Sequence, residues 1–369
     1  MLFRKLPDVK IGILGAGQLG RMLALAGYPL GLEFIFLDPA EEACAAPLGK
    51  HLRADYTNEA ALAEFCADID VATFEFENVP QHAAEFVAAR VPLWPSARAL
   101  TAGQDRLSEK ALFTALGIPV PRHAAVDTLD DLATAAATTS LPAILKTRRM
   151  GYDGKGQAVL RSPADFTDAW RAVGGQPSIL EAFIPFQREV SCLLVRDRPG
   201  ASVCYPLVQN VHRSGILHLS IPQPADPLQT QAEDYARRVA THLDYCGVLA
   251  FEFFVADGQL IANEIAPRVH NSGHWSIEGA ETSQFENHLR AIAGLPLGST
   301  ALRGASAMLN FIGTLPPLPA LAALPGVHVH DYGKTAKPLR KVGHATVTAE
   351  TAAEFETRLA TLLALLPAP

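Results

Sequence analysis

Short apolar runs punctuated by glycine organise the first hundred residues. Lys10–Gly20 (KIGILGAGQLG) is an apolar run followed by glycines, and Arg21–Ala26 continues with helix-forming residues, so a strand, a tight turn and a helix are predicted in that order. Leu32–Asp38 (LEFIFLD) and Asp70–Glu75 (DVATFE) predict two further strands, each ending in an acid, with helical stretches at about 59–67 and 81–90. Apolar strands alternating with helices at this spacing imply βαβ units and a parallel sheet with right-handed crossovers. This unit should close near Pro95.

The pattern then changes. Residues 97–118 read as a helical stretch, ended by Gly117-Ile118-Pro119-Val120-Pro121, which forces extended backbone. Leu141–Thr147, Ala158–Arg161, Ser178–Phe183 and Glu189–Arg196 read as strands, with a glycine-bearing loop at Arg148–Gln157 and an amphipathic helix at 228–246. Val248–Val255 and Gln259–Ile265 form a hairpin around Asp257-Gly258, a dipeptide suited to positive φ. An antiparallel α+β region follows from this. The end of the chain predicts a Pro/Leu/Ala-rich surface connection at 315–325, strands near 327–333 and 344–348, and a helix at about 350–365. No internal repeat is present.

Composition narrows the class. With 369 residues, 49% hydrophobic and 19% charged, the chain is a globular protein of two or three domains with a large core. The five cysteines (Cys44, Cys66, Cys192, Cys204, Cys246) are odd in number and lack zinc-ligand spacing, so they read as reduced packing residues of a cytoplasmic protein. The apolar run Ile11–Leu14 is too short for a signal segment, and no membrane span is evident. A net charge of −7 argues against a nucleic-acid partner.

Several motifs carry chemistry. Gly15-x-Gly17-x-x-Gly20 with Asp38 at the end of the next strand matches a dinucleotide fingerprint, but such a turn also binds other anions or only packs. Glu75 and Glu77 end a parallel strand, where ligands sit; one of them could instead cap a helix. Lys146 ends a strand and precedes Gly151-Tyr152-Asp153-Gly154-Lys155-Gly156-Gln157, which is not a Walker A loop yet could fold over a triphosphate or form a hairpin tip. Glu252 and Glu264 lie on the two hairpin arms. A three-residue loop sets them opposite each other, where repulsion would favour a divalent cation between them; a two-residue loop sends them to opposite faces. Arg268-Val269-His270-Asn271-Ser272-Gly273-His274 is dense in polar and titratable residues, and Lys334, Lys337, Arg340 and Lys341 form a late basic cluster that is either a phosphate clamp or a solvated face.

Together, Lys146, the glycine loop, Glu181 and the Glu252/Glu264 hairpin with Asn263 resemble the ATP-grasp enzymes. GILGAGQLGRM, FEFENV, QDRLSEK, GYDGKGQ, NEIAPRVHNSGH and YGK…LRKVGH, in that order over nearly the whole chain, narrow the resemblance to the N5-carboxyaminoimidazole ribonucleotide synthase family of purine biosynthesis. The resemblance implies an α/β and α+β ATP-grasp fold: a Rossmann-like preATP-grasp domain at 1–97, an ATP-grasp domain at 98–295 and a small C-terminal domain at 296–369. It implies a ligase that phosphorylates bicarbonate with ATP and carboxylates the amine of 5-aminoimidazole ribonucleotide. ATP would be held by Arg106, Lys146, Gly151, Tyr152, Asp153, Gly154, Lys155, Gly156, Gln157, Glu181, Ala182, Phe183, Ile184, Glu189, His212, Asn263 and Glu264. Mg2+, or Mn2+ in its place, would sit on Glu252 and Glu264. Ribonucleotide contacts would come from Gln18, Glu75, Arg268, His270, Lys334 and Arg340, and Tyr152, Asp153, Lys155, Arg268, His270, Asn271, Ser272 and His274 would serve the carboxyl transfer. A cytoplasmic homodimer is implied as well. Lys337 stands where the family often has arginine, so Arg340 is the better phosphate contact. Competing expectations are a formate-using transformylase of the same fold, an NAD-dependent dehydrogenase resting on the glycine turn, and a non-catalytic nucleotide sensor.

Overall fold

The computed structural model describes residues 9–151 and 155–366; Tyr152, Asp153 and Gly154 lie outside the described residues. The N-terminal apolar runs form a parallel sheet in the spatial order Lys50–Leu52, Glu33–Leu37, Lys10–Leu14, Val71–Phe74. Apart from Lys10 and Glu33, the residues of the last three are buried on both faces, which explains why those runs are continuous rather than alternating, whereas the edge strand Lys50–Leu52, not expected from the sequence, is exposed to half-buried. The helices Glu59–Ala67 and Gln81–Ala88 fall close to the predicted stretches. The predicted helix over 97–118 is two helices, Ala97–Gln104 and Arg106–Ala115. Asp105 breaks it: its backbone is extended, and its carboxylate accepts the N–H groups of Leu107 and Ser108 as the second helix's N-cap.

Two further sheets face each other across a cleft. A four-stranded antiparallel sheet has the order His123–Val126, Ser178–Ala182, Ala143–Thr147, Gln157–Leu160. A nine-stranded sheet begins at the hairpin Gly247–Ala256/Gln259–Ala266 and continues through Arg188–Arg196, Val208–Arg213 and Ile216–Pro222, with Ser202–Cys204 paired alongside. It then runs on into Ala305–Ile312, Lys341–Ala349 and Val327–Asp331, so the C-terminal strands extend the central sheet by direct pairing of Leu219 with Leu309 and Ser220 with Met308. The stretch 315–325, expected as a connection, contains a short helix at Leu318–Ala322. The helix Gln284–Ala293 packs the central sheet against the N-terminal helix Gln18–Gly27, and its buried His288 hydrogen-bonds Thr73 at 2.9 Å. Among the described residues no helix is long and apolar enough to cross a membrane.

Candidate active site

The glycine turn shows how one strand end is used. Gly17 and Gly20 sit at the N-terminus of the helix Gln18–Gly27, and both backbone N–H groups donate to the Glu75 carboxylate, that of Gly20 at 2.6 Å. Glu75 therefore fills the anion position that a dinucleotide pyrophosphate would need. Burial raises its pKa, although the two N–H groups act against that. Asp38, the expected ribose acid, instead accepts the Ala16 N–H at 2.9 Å and the Ala40 N–H at 2.7 Å. The dehydrogenase expectation loses its basis here, because both groups that would recognise the dinucleotide are spent on the turn.

The cleft between the sheets has a volume of about 880 Å3 and is lined at one end by Lys146, Lys155, Gln157, Glu189 and His212, at the other by Gln18, Glu75, Lys334 and Arg340. The strand Ala143–Thr147 carries Lys146 beside Glu181 of its neighbour; Nζ lies 2.6 Å from Glu181 Oε2. Burial alone would raise the Glu181 pKa, but Lys110 and Lys146 hold it well below the usual carboxylate range. His212 Nδ1 stands 3.0 Å from Glu189 Oε2, and that carboxylate keeps the imidazole pKa above its ordinary value despite burial. Arg106 Nη1 meets Glu264 Oε2 at 2.6 Å.

The hairpin turns on two residues, yet Glu252 and Glu264 are directly opposed, because the register shifts between Glu252 and Phe253 and leaves Asn263 as an extra residue. The turn-length rule therefore fails while the pairing it was meant to test is present. Burial, then the facing Glu264, push the Glu252 carboxyl up to about 7; Glu264 is held down by Arg106 against the same burial. These are the properties of a divalent-cation seat: two like carboxylates forced together, with the buried Asn263 Oδ1 lacking any hydrogen-bond partner beside them. No cluster of three or more His, Cys, Asp or Glu that could hold a metal occurs among the described residues, so a cation here would need oxygen ligands from water or a bound nucleotide as well.

His270 borders the same carboxylates. Its Nδ1 accepts the Ser272 N–H at 3.3 Å and faces Ser272 Oγ at 2.8 Å, which assigns the ring proton to Nε2, pointed at Glu252 Oε1 3.3 Å away. Behind Ser272 a buried chain continues through Ser191 (2.7 Å), Asn210 (3.1 Å) and Ser220 (2.8 Å). Arg268 Nε bonds Glu77 Oε2 at 2.5 Å, and Asn271 pairs with Asn310. Lys334 bonds Gln18 and lies over the Tyr332 ring; Arg340 Nη1 donates to the Thr335 carbonyl at 3.1 Å.

Not every selected residue reaches the cleft. Gly156 backs onto Thr147, Glu181 lies beneath Lys146, and Ala182, Phe183 and Ile184 follow it outside the cleft lining. Ser272 is buried under His270, and His274 packs between Phe285 and His344. Sequence reading missed Glu109, Arg148 and Tyr332, all of which line the cleft, and Lys110 beneath it. The available signal was the spacing of Arg106, Glu109 and Lys110, which sets three charges on one helical face.

Residues 9–104 match the ribonucleotide synthetase preATP-grasp domain, 111–285 the ATP-grasp domain and 306–358 the phosphoribosylaminoimidazole carboxylase C-terminal domain. N5-carboxyaminoimidazole ribonucleotide synthase of Pseudomonas aeruginosa is 57% identical over 360 residues, covering 98% of this chain and 100% of that protein. The chain belongs to the N5-carboxyaminoimidazole ribonucleotide synthase family. The synthetase from Thermus thermophilus superposes with a TM-score of 0.93 at 53% identity, covering 97% of this chain and 99% of that one. The synthase from Aspergillus clavatus, solved with ADP and 5-aminoimidazole ribonucleotide, gives 0.90 at 32% identity and covers 97% and 99% of the two chains.

Proposed function

We infer that the chain is an ATP-dependent ligase of de novo purine biosynthesis. It joins bicarbonate to the amine of 5-aminoimidazole ribonucleotide and yields N5-carboxyaminoimidazole ribonucleotide, ADP and phosphate. One observation carries this reading: a single cleft is lined both by the cationic Lys146/Lys155 end and by the Gln18/Lys334 end, with Arg268 and His270 also on its wall. A bicarbonate oxygen attacks the γ-phosphorus and ADP leaves; the amine nitrogen then attacks the carboxyl carbon of carboxyphosphate, or of CO2 released from it, and the amine proton is taken up by the departing phosphate. Lys146, Lys155 and Arg106 neutralise the triphosphate, and Arg268, held by Glu77, offers its charge to the carboxyl phosphate. His270 presents an Nε2–H and so enters as a hydrogen-bond donor. Glu252 and Glu264 would hold Mg2+, which would supply charge neutralisation for the phosphoryl group in transfer. A closed cleft protects carboxyphosphate from water.

Domains at 1–97, 98–295 and 296–369, and a cytoplasmic homodimer, belong to the same reading. Its test is ADP release from Mg·ATP and bicarbonate with and without 5-aminoimidazole ribonucleotide. Stimulation by the ribonucleotide is expected; equal rates, or stimulation only by formate with glycinamide ribonucleotide, would overturn it.

A further inference from the structure

Near its turn the hairpin pairs Ala256 with Gln259 and Phe253 with Ala262. Continued unbroken, that register would set Glu252 against Asn263 and send Glu264 to the other face of the sheet. The extra residue at Asn263 restores the opposition of Glu252 and Glu264, so the carboxylate pair is made by a bulge and not by the turn. Gln259–Ala266 is also the edge strand of its sheet, and an edge strand turns backbone groups outward that need partners.

One helix supplies partners on both sides of Glu264. From Arg106–Ala115, Lys110 donates to the Asn263 carbonyl, Glu109 Oε1 accepts the Ile265 N–H at 2.7 Å, and Arg106 pairs with Glu264 itself. Lys110 and Glu109 are 0% and 2% exposed, a costly placement for two charges unless they are fully used. Lys110 has a second anchor, Glu181 Oε1 at 3.3 Å, whose other oxygen holds Lys146.

We propose that Glu109 and Lys110 are positioning residues that lock the bulge at Asn263 and thereby keep Glu252 and Glu264 face to face for the cation. The proposal rests on the reading of that pair as the cation seat. Neither side chain is assigned a contact with the reacting atoms; both act through the backbone flanking Glu264.

The test is Mn2+ binding in the presence of saturating ADP, followed by electron paramagnetic resonance, with melting temperature recorded alongside. Glu252→Gln and Glu264→Gln come first: each should weaken Mn2+ binding at least about tenfold, and unchanged binding overturns the cation seat itself. Given that loss, Glu109→Leu and Lys110→Met should weaken it about tenfold as well, whereas Glu109→Gln, which keeps an acceptor oxygen for Ile265, should stay near the parent. Parent-like Mn2+ binding in Glu109→Leu overturns the proposal while leaving the cation seat intact. Should Lys110→Met not fold, the Glu109→Leu and Glu109→Gln comparison decides alone. A crystal structure of Glu109→Leu gives a readout independent of metal: Glu264 is expected to turn away from Glu252, and retained opposition overturns the proposal.

Discussion

The turn Gly15–Gly20 and the loop flanked by Gly151 and Gly156 look alike in sequence, since both strip side chains from backbone where a phosphate is expected. In the first, the chain's own Glu75 occupies the anion position: a Cβ on Gly15 would lie 2.4 Å from Glu75 Cγ, and one on Gly17 2.6 Å from its Oε1. The second is bordered by cations. Gly151 lies beside Arg106, and Lys146, Arg148 and Lys155 line the same wall. Glycine spacing therefore reports only that backbone comes close to something. The charge delivered by neighbouring strand ends decides whether that something is a carboxylate of the protein or a phosphate of a ligand.

The strongest way to break this comparison is to remove the cation. Lys146→Met should lower ribonucleotide-stimulated ADP release by about 10²–10³-fold, measured as kcat under saturating substrates; a loss under tenfold would mean the second loop does not work as a phosphate site. For the first turn the effect is on stability. Glu75→Ala strands the Gly17 and Gly20 N–H groups, at about 1–3 kcal/mol for each group left buried without an acceptor, read as a drop in denaturation midpoint. NADH fluorescence should stay unchanged in the parent protein, and tight binding there would show that Glu75 yields its place. Gly15→Ala should destabilise more than Gly258→Ala. Both have positive φ, but the first meets Glu75 and the second meets nothing within 4 Å, so only a left-handed backbone cost of about 1–2 kcal/mol applies at Gly258.

A further expected effect is in pH. The Glu252 carboxyl is raised from 4.5 to about 7, so in this window the folded protein binds more protons than the unfolded chain. Its stabilising contribution is present at acid pH and is lost as pH rises through about 7. The melting temperature without ligand should sag over that range relative to Glu252→Gln, while the gain on adding Mg·ADP should grow, because the cation needs the carboxylate. A flat difference would detach Glu252 from the cation.

Three of the four strands of the N-terminal sheet were legible because they are unbroken apolar runs; the edge strand Lys50–Leu52 was not, because it is short, polar and partly exposed. Val208–Arg213, Ile216–Pro222 and Ala305–Ile312 were not read as strands, since the central sheet buries Asn210, His218, Ser220 and Asn310 and their polar character hides the pattern. Lys146 and the Glu252/Glu264 pair stood out because charges ending or crossing apolar strands are anomalous. Glu109 and Lys110 did not, because charges three and four apart on a helix normally face water. Their partners at Ile265 and Asn263 lie 156 and 153 residues away, a proximity only the fold creates.

The central sheet does not stop at the ATP-grasp strands but runs on through Ala305–Ile312 and Lys341–Ala349. Hydrogen-bonded continuity makes this a single mechanical plate, and Lys334 and Arg340, in the link between its last two strands, ride on it with Glu252 and Glu264. Lys146 belongs to the separate four-stranded sheet. Any shift of the smaller sheet relative to the larger would therefore move Lys146 against Glu252 and Glu264 without breaking a strand pairing of the larger one.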